Sequence, residues 1–245
     1  MCCGYGRMHD FLGGLMIRRL VGGVVLGLVG VTALASPAQA QQSVSFQLGS
    51  FMPRAEDARV QRDVLVVDRR YLLFDIKDFA AINGGGEWLV DMGDFFEAGV
   101  GLSYYQRTVP AIHAELVNAN GQEIQQDLKL RIVPLVAIAR IFPFGNKRAV
   151  QPYVGVGLGV YFWRYSETGE FVDDQRNIFR DAFVGSGTSV GPVATFGLRG
   201  RVSRSIDLGM EVRMQWGKGD LSTDFLSDTI DLGGVNLLAT IRYRF

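Results

Sequence analysis

The chain has 245 residues, enough for one large domain or two small ones, and its 25 basic and 25 acidic residues give a net charge of zero. A balanced charge does not produce the basic surface that nucleic acid requires, so we expect no nucleic-acid partner. Both cysteines, Cys2 and Cys3, lie at the N-terminus, so residues 41–245 contain no thiol for disulfides or cysteine chemistry.

Residues 1–40 have the features of an N-terminal extension and a secretory signal peptide. A basic pair precedes an apolar run over 20–34, and a small-x-small cleavage site ends at Ala40. The apolar run is shorter than the roughly 20 residues that a membrane-spanning helix needs. We therefore expect cleavage before Gln41, which leaves 41–245 as the mature domain.

Apolar residues recur at every second position along most of the mature domain, which is the pattern of β-strands with two different faces. Val154, Val156 and Leu158, for example, alternate with glycines. Such segments occur eight times. The eight predicted strands cover residues 44–49, 84–91, 96–105, 128–138, 154–163, 190–199, 206–216 and 235–245.

The connections between the predicted strands alternate in length. Short turns lie at Gly93-Asp94, Pro143–Ala149 and Gly200–Ser205. The long connections are 53–81, 107–126, 164–188 and 217–229. Short turns at one end and long loops at the other are typical of an up-and-down membrane barrel whose long loops face the cell exterior.

The second face of these strands distinguishes a membrane barrel from a soluble one. A soluble barrel fills its interior with bulky apolar side chains, whereas Gly155, Gly157 and Gly159 fill no core and instead leave room for long charged side chains. The apolar rows then face lipid, where a closed sheet is the β-structure that pairs every backbone group. We therefore predict an all-β fold, an eight-stranded antiparallel up-and-down transmembrane β-barrel.

Two short motifs carry a family resemblance. The segment Gln151–Gly159, of the form P-Y-x-G-x-G-x-G after its first residue, resembles a strand of small bacterial outer-membrane β-barrel proteins of the OmpA/OmpX/OmpW kind. The last strand carries Tyr243 and stops on Phe245, which is similar to the signal that the barrel-assembly machinery reads. The resemblance implies a Gram-negative outer-membrane location, with outer-membrane lipid, lipopolysaccharide and that machinery as partners.

Charged residues of both signs fall on the faces predicted to point into the barrel. An eight-stranded barrel has a lumen just wide enough for its own side chains, so we expect these charges to neutralise one another and plug it. The alternative is a porin-like channel for small solutes with a basic constriction. The predicted lumen network comprises Glu87, Glu97, Lys129, Arg131, Arg199, Glu211, Arg213 and Arg242.

The sequence favours a structural or surface-recognition role over enzymatic activity, and it does not identify an extracellular ligand. A lipid-modifying outer-membrane enzyme is a second alternative, because such barrels pair a histidine with a serine. His113 is the one histidine of the mature domain, and no nucleophile is placed beside it. One histidine does not make a zinc site, so we predict no catalytic residue, no metal and no cofactor.

The first long connection, 53–81, is unusually apolar for a surface loop. Apolar residues between Val60 and Phe74 fall at helical spacing, whereas 63–68 is equally compatible with a short strand. The segment caps the barrel mouth, enters the lumen or meets a partner. Of these, a cap that buries its own apolar face is the simplest interpretation.

Overall fold

The computed structural model describes residues 41–60, 62–118, 120–173 and 175–245. The predicted signal peptide lies outside the described residues. Eight long strands dominate the described part of the chain. They are β1 (Gln42–Pro53), β3 (Ala81–Met92), β4 (Phe96–Val117), β5 (Glu123–Ile141), β6 (Val150–Val172), β7 (Ile178–Arg201), β8 (Ile206–Gln215) and β11 (Gly234–Arg244).

These strands form one closed antiparallel ring. Each long strand pairs with the next long strand along the chain, and β4 pairs with both β3 and β5. The first and last strands close the ring, with Ser43 opposite Arg244 and Pro53 opposite Gly234. The prediction of an eight-stranded antiparallel up-and-down barrel is confirmed.

Two of the predicted long loops are instead continuations of the strands. β4 and β5 run on as far as Val117 opposite Glu123, and β6 and β7 stay paired as far as Val172 opposite Ile178. The loop predictions for 107–126 and 164–188 are therefore wrong. Apolar alternation ends before the strands do, because strand ends that project beyond the membrane have no lipid to face.

The outward face of the ring carries a continuous apolar belt. On β6 it runs from Val154 to Phe162, and the next outward residue is Arg164. Such a band matches the lipid-facing surface of a transmembrane barrel. The large apolar residues of the belt whose side chains are exposed include Phe46, Leu48, Trp88, Leu102, Leu135, Val156, Leu158, Val190, Phe196, Met210, Leu237 and Ile241.

The barrel interior has two layers of different chemistry. The half nearest the short turns is lined by buried charged and polar residues, which are described below. The other half is filled by an apolar cluster that includes Phe51, Tyr105, Leu128, Tyr161 and Trp163. The prediction that the inward faces avoid bulky apolar residues therefore applies to only one half of the lumen.

The connection between β1 and β3 covers this apolar half. It contains a 3₁₀ turn (Glu56–Ala58), helix α1 (Val64–Asp68), the short strand β2 (Leu72–Leu73) and a second 3₁₀ turn (Ile76–Phe79). We call residues 54–80 the cap. The α-helix over Val64–Asp68 agrees with the helical spacing of the apolar residues, so the alternative of a short strand over 63–68 is wrong.

Packing explains why this apolar segment forms a cap. Asp63 begins α1 by accepting a hydrogen bond from the backbone N–H of Leu65 at 3.0 Å, which satisfies a free donor of the helix. Val64 and Leu65 are fully buried in the same cluster as the barrel residues Tyr105 and Leu128. The cap therefore covers the half of the lumen away from the short turns with apolar side chains.

The connection between β8 and β11 completes this seal. It contains a small hairpin of β9 (Lys218–Asp220) and β10 (Thr229–Asp231). Its side chains Phe225, Ile230 and Leu232 join the apolar cluster. Within the described residues, helices are too short or too polar to cross a membrane.

Candidate functional site

The polar half of the lumen is organised around Arg140, near the end of β5. Its guanidinium donates to Glu97 at 3.1 Å, to Glu87 at 2.6 Å and to Glu211 at 2.7 Å. These carboxylates come from β4, β3 and β8, so one side chain ties together distant parts of the ring. Arg140 is fully buried, so these charge-assisted contacts are strong. Loss of any one partner would leave a buried charge without compensation.

Two further arginines complete the coordination of Glu97. Arg199 donates two hydrogen bonds to this carboxylate, at 3.0 and 3.1 Å. Arg242 lies 2.8 Å from the second carboxylate oxygen. Glu97 is therefore shared by three arginines and has no exposed surface on its side chain.

Arg213 and Arg242 connect the remaining carboxylates. Arg213 lies 2.5 Å from Glu87 and 2.6 Å from Glu211. Arg242 lies 2.8 Å from Asp91. Arginine and carboxylate charges balance in this cluster. We call it the lumen network: Arg140, Arg199, Arg213, Arg242, Glu87, Asp91, Glu97 and Glu211.

Aromatic rings and glycines give the lumen network its space and its walls. Tyr153 donates a hydrogen bond to Glu211 at 2.9 Å, and the guanidinium carbons of Arg140 and Arg199 each lie 5.2 Å from the centre of its ring. A Cβ atom at Gly155 would lie 2.9 Å from the side chain of Arg140. Glycine is thus required there by close approach, as the alternation of β6 predicts.

The closing strand β11 places its arginines as the sequence indicates. Arg242 also donates to the Ser43 hydroxyl at 2.6 Å, across the junction between the first and last strands. Arg244 lies at the end of the barrel that carries the short turns, 2.7 Å from Asp207 of β8. The bond between Arg242 and Ser43 links the two ends of the barrel domain from inside.

The structure brings six of the eight predicted network residues together and places two elsewhere. The six are Glu87, Glu97, Arg199, Glu211, Arg213 and Arg242. Lys129 and Arg131 face outward and are exposed, so the prediction that they line the lumen is wrong. On β5 the inward row consists of Leu128, Leu130 and Ile132, which fill the apolar half of the interior.

The same inversion explains why Arg140 was not predicted. It shares its face with the apolar residues Leu130 and Ile138, and an apolar row in this sequence was assigned to lipid. Lys129 and Arg131 carry the signal that would identify the outward row of β5. They lie beyond the point where the apolar belt of the neighbouring strands ends, so charged residues can face outward there. Asp91 was also missed, as the last inward residue before a turn.

Tyr243 and Phe245 lie on the outward face at the end of β11. Both are exposed, and their rings stack with centroids 6.4 Å apart. Aromatic residues at this height match the girdle of a membrane barrel. Their part in assembly stays a prediction.

A second polar site lies beneath the cap, at the end of the barrel away from the short turns. Asp68 of α1 accepts a hydrogen bond from the Tyr165 hydroxyl at 3.0 Å, and the carboxyl group of Glu167 lies nearby. Burial, with the nearby Glu167 carboxyl, raises the pKa of Asp68 to about 9. The hydrogen bond from Tyr165, a residue of β6, joins Asp68 and the cap to that strand.

A cavity of about 350 Å³ opens beside this pair of acids. Its walls include Glu167, Gln126, His113 and the ring of Phe179. His113 lies in β4, not in a loop, and its Nδ1 accepts hydrogen bonds from the backbone of Glu115 and Leu116 at 3.2 and 3.1 Å.

His113 has no serine nucleophile from its own strand nearby. Ser103 is ten residues away along the same strand, a separation of about 33 Å in an extended chain. His113 and Ser103 are therefore not brought together as a lipid-modifying enzyme would require.

Comparisons with known proteins identify the fold. No protein-family model matches the chain, and no curated protein matches it. OprG, an outer membrane protein from Pseudomonas aeruginosa, aligns with 84% of this chain and 96% of its own at a TM-score of 0.50 and 11% identity. Neisserial surface protein A gives a TM-score of 0.48 with 14% identity, covering 86% of this chain and all of its own.

A major outer membrane protein from Thermus thermophilus aligns with 84% of this chain and 100% of its own, at a TM-score of 0.48 and 11% identity. At these identities the comparisons concern architecture alone. The similarity to OprG agrees with the closed ring and its apolar belt. The chain has the fold of small bacterial outer-membrane β-barrel proteins.

Proposed function

From this fold we propose that the protein is a non-conducting, non-enzymatic component of the bacterial outer membrane, with a structural or surface-recognition role. The observation that carries the proposal is the lumen network, whose balanced charges fill the periplasmic half of the barrel. The apolar cluster beneath the cap fills the other half. A solute would therefore have to displace two packed layers of opposite character.

The proposal includes the export and assembly of the protein. A signal peptide is cleaved between Ala40 and Gln41, and the barrel-assembly machinery reads the strand that ends in Tyr243 and Phe245. N-terminal sequencing of the protein from isolated outer membranes tests the first statement, because a chain that begins elsewhere contradicts it. Loss of outer-membrane insertion in a Phe245→Ala variant tests the second.

The surface-recognition role is supported by the strands that rise above the apolar belt. β4, β5, β6 and β7 are 19 to 24 residues long, whereas about 9–11 residues span the bilayer. Their outer halves form a paired sheet that carries the connections between β4 and β5 and between β6 and β7. A sheet that is already ordered before binding presents side chains to a partner with little loss of conformational entropy.

Planar-bilayer recording tests the closed lumen against the porin-like alternative. Purified protein folded in detergent should produce no stable unitary steps. Stable steps of constant size, abolished by heat denaturation, would show that the lumen conducts. An Arg140→Ala/Arg199→Ala variant, which removes two large side chains from the network, should also produce no steps, because the apolar cluster beneath the cap still fills the other half of the lumen.

Lipid analysis tests the absence of enzymatic activity. Mass spectrometry of lipid A and phospholipids from cells with and without the protein should show the same species. A modified lipid that disappears in a His113→Ala variant would establish the enzymatic alternative.

A further inference from the structure

Three basic side chains lie together on the outer surface of the barrel, directly above the apolar belt. Arg131 and Arg164 are the first outward residues of β5 and β6 beyond the belt, where Val133 faces Phe162. Lys129 is the next outward residue of β5. All three side chains are exposed. We call Lys129, Arg131 and Arg164 the basic patch.

The register of the strands leaves this positive charge uncompensated. Arg131 is directly opposite Arg164, and like charges in that position destabilise a strand pair. Their other cross-strand neighbours, Gln106 and Ser186, are uncharged. In the described ranges the basic patch forms no ion pair with a carboxylate. Asp127, the nearest acid along β5, lies one outward position further from the belt.

The height of the basic patch on the barrel indicates the source of its counter-charge. The belt ends at Tyr104 and Phe162, aromatic residues typical of the membrane interface. Side chains one step above this line, on the lipid side of the wall, lie among lipid headgroups and not among the extracellular turns. A ligand there must be anionic and anchored in the outer leaflet.

We propose that the basic patch binds the phosphate groups of a phosphorylated glycolipid, the lipopolysaccharide of the outer leaflet. Guanidinium groups match phosphate oxygens with paired hydrogen bonds, and two arginines side by side suit a headgroup with more than one phosphate. The acyl chains of the same lipid would cover the belt residues below, such as Val133 and Leu135. This inference rests on the proposed outer-membrane location and adds a binding site to it.

A double substitution tests the site. Folded protein in phosphatidylcholine nanodiscs is titrated with fluorescent bis-phosphorylated lipid A, and the native protein is compared with an Arg131→Gln/Arg164→Gln variant. Each basic residue near a membrane surface changes affinity by about fivefold, so we expect a loss of about 25-fold. The matched control, Arg148→Gln/Arg204→Gln, removes the same charge from the periplasmic turns and should bind like the native protein.

A second measurement uses the native protein alone, so it stands even if the double variant fails to fold. Dephosphorylated lipid A and phosphatidylglycerol are titrated in the same nanodiscs, and both should bind more weakly than bis-phosphorylated lipid A. Equal binding of dephosphorylated lipid A, or equal loss in both double variants, overturns the proposal. Equal binding of phosphatidylglycerol reduces the basic patch to general anion attraction and also overturns it.

These outcomes are separate from those of the proposed function. A conducting protein that still prefers phosphorylated lipid A contradicts the closed lumen and leaves the basic patch standing. A non-conducting protein without that preference supports the closed lumen and contradicts the binding site at the basic patch.

Discussion

Replacement of Arg140 by alanine tests the lumen network most severely. The substitution removes the contacts at 3.1, 2.6 and 2.7 Å to three buried carboxylates. Glu97 keeps Arg199 and Arg242 as partners, so the cluster does not lose every bond. It does change from neutral to a net charge of −1 in a site without solvent.

The expected magnitude follows from that uncompensated charge. Breaking a buried ion pair by removing one partner costs about 3–5 kcal/mol. Arg131→Ala on the same strand is the matched control, because its side chain is exposed and the change should stay within about 0.5 kcal/mol. The difference between the two variants therefore isolates the effect of the buried site from that of losing an arginine.

Urea unfolding in lipid vesicles gives the required measurement, with folded and unfolded protein separated by their migration on unboiled gels. A second variant, Arg140→Ala/Glu87→Gln, restores the charge balance and should recover about 1–3 kcal/mol of the loss through coupling of the two sites. If Arg140→Ala unfolds at the same urea concentration as Arg131→Ala, the network contributes no stability and the reasoning fails.

Three further predictions concern the cap and the packing of the lumen. Leu65→Ala should destabilise the cap by about 2–5 kcal/mol and speed its proteolysis, whereas the exposed Leu73→Ala should not; equal proteolysis of both would mean that the cap does not bury Leu65. Folding of the cap raises the pKa of Asp68 from about 4 to about 9, so the folded cap binds a proton more tightly than the unfolded chain does. The stability of the cap should therefore fall as the pH rises from about 4 to 9. Asp68→Asn should flatten this slope in hydrogen exchange, and an unchanged slope would contradict the assignment. Gly197→Ala places a Cβ atom against a buried tyrosine ring and should cost about 1–3 kcal/mol in urea unfolding, whereas the lipid-facing Gly86→Ala should be tolerated; similar unfolding of the two would refute the close approach.

The architecture could be predicted because the bilayer imposes a strict rule on the sequence. Each lipid-facing residue must be apolar, and strand geometry places these residues at every second position. Strand number, antiparallel order and most of the lumen network follow from that rule. Arg242 and the alternation of β11 show it most clearly, since the outward row of that strand contains no charged residue.

The rest of the fold could not be predicted where the rule stops applying. On β5 both rows are apolar near the middle, because Leu130 faces the buried cluster while Leu135 faces lipid. Alternation alone does not distinguish these two environments. It therefore assigns the two rows of β5 to the wrong sides of the barrel wall and leaves Arg140 out of the predicted lumen network. Above the belt, strands such as 164–172 resemble loops because lipid no longer selects their residues.

The central claim is that lipid, and not a packed protein core, contacts the apolar row of each strand. Residues 41–245 contain no cysteine, so single spin labels can be introduced without background. Along β7, labels at Ala194 and Phe196 should collide freely with oxygen dissolved in the bilayer, whereas labels at Val193 and Thr195 should be shielded. Uniform shielding of all four positions, or higher oxygen access at Val193 and Thr195, would contradict the account.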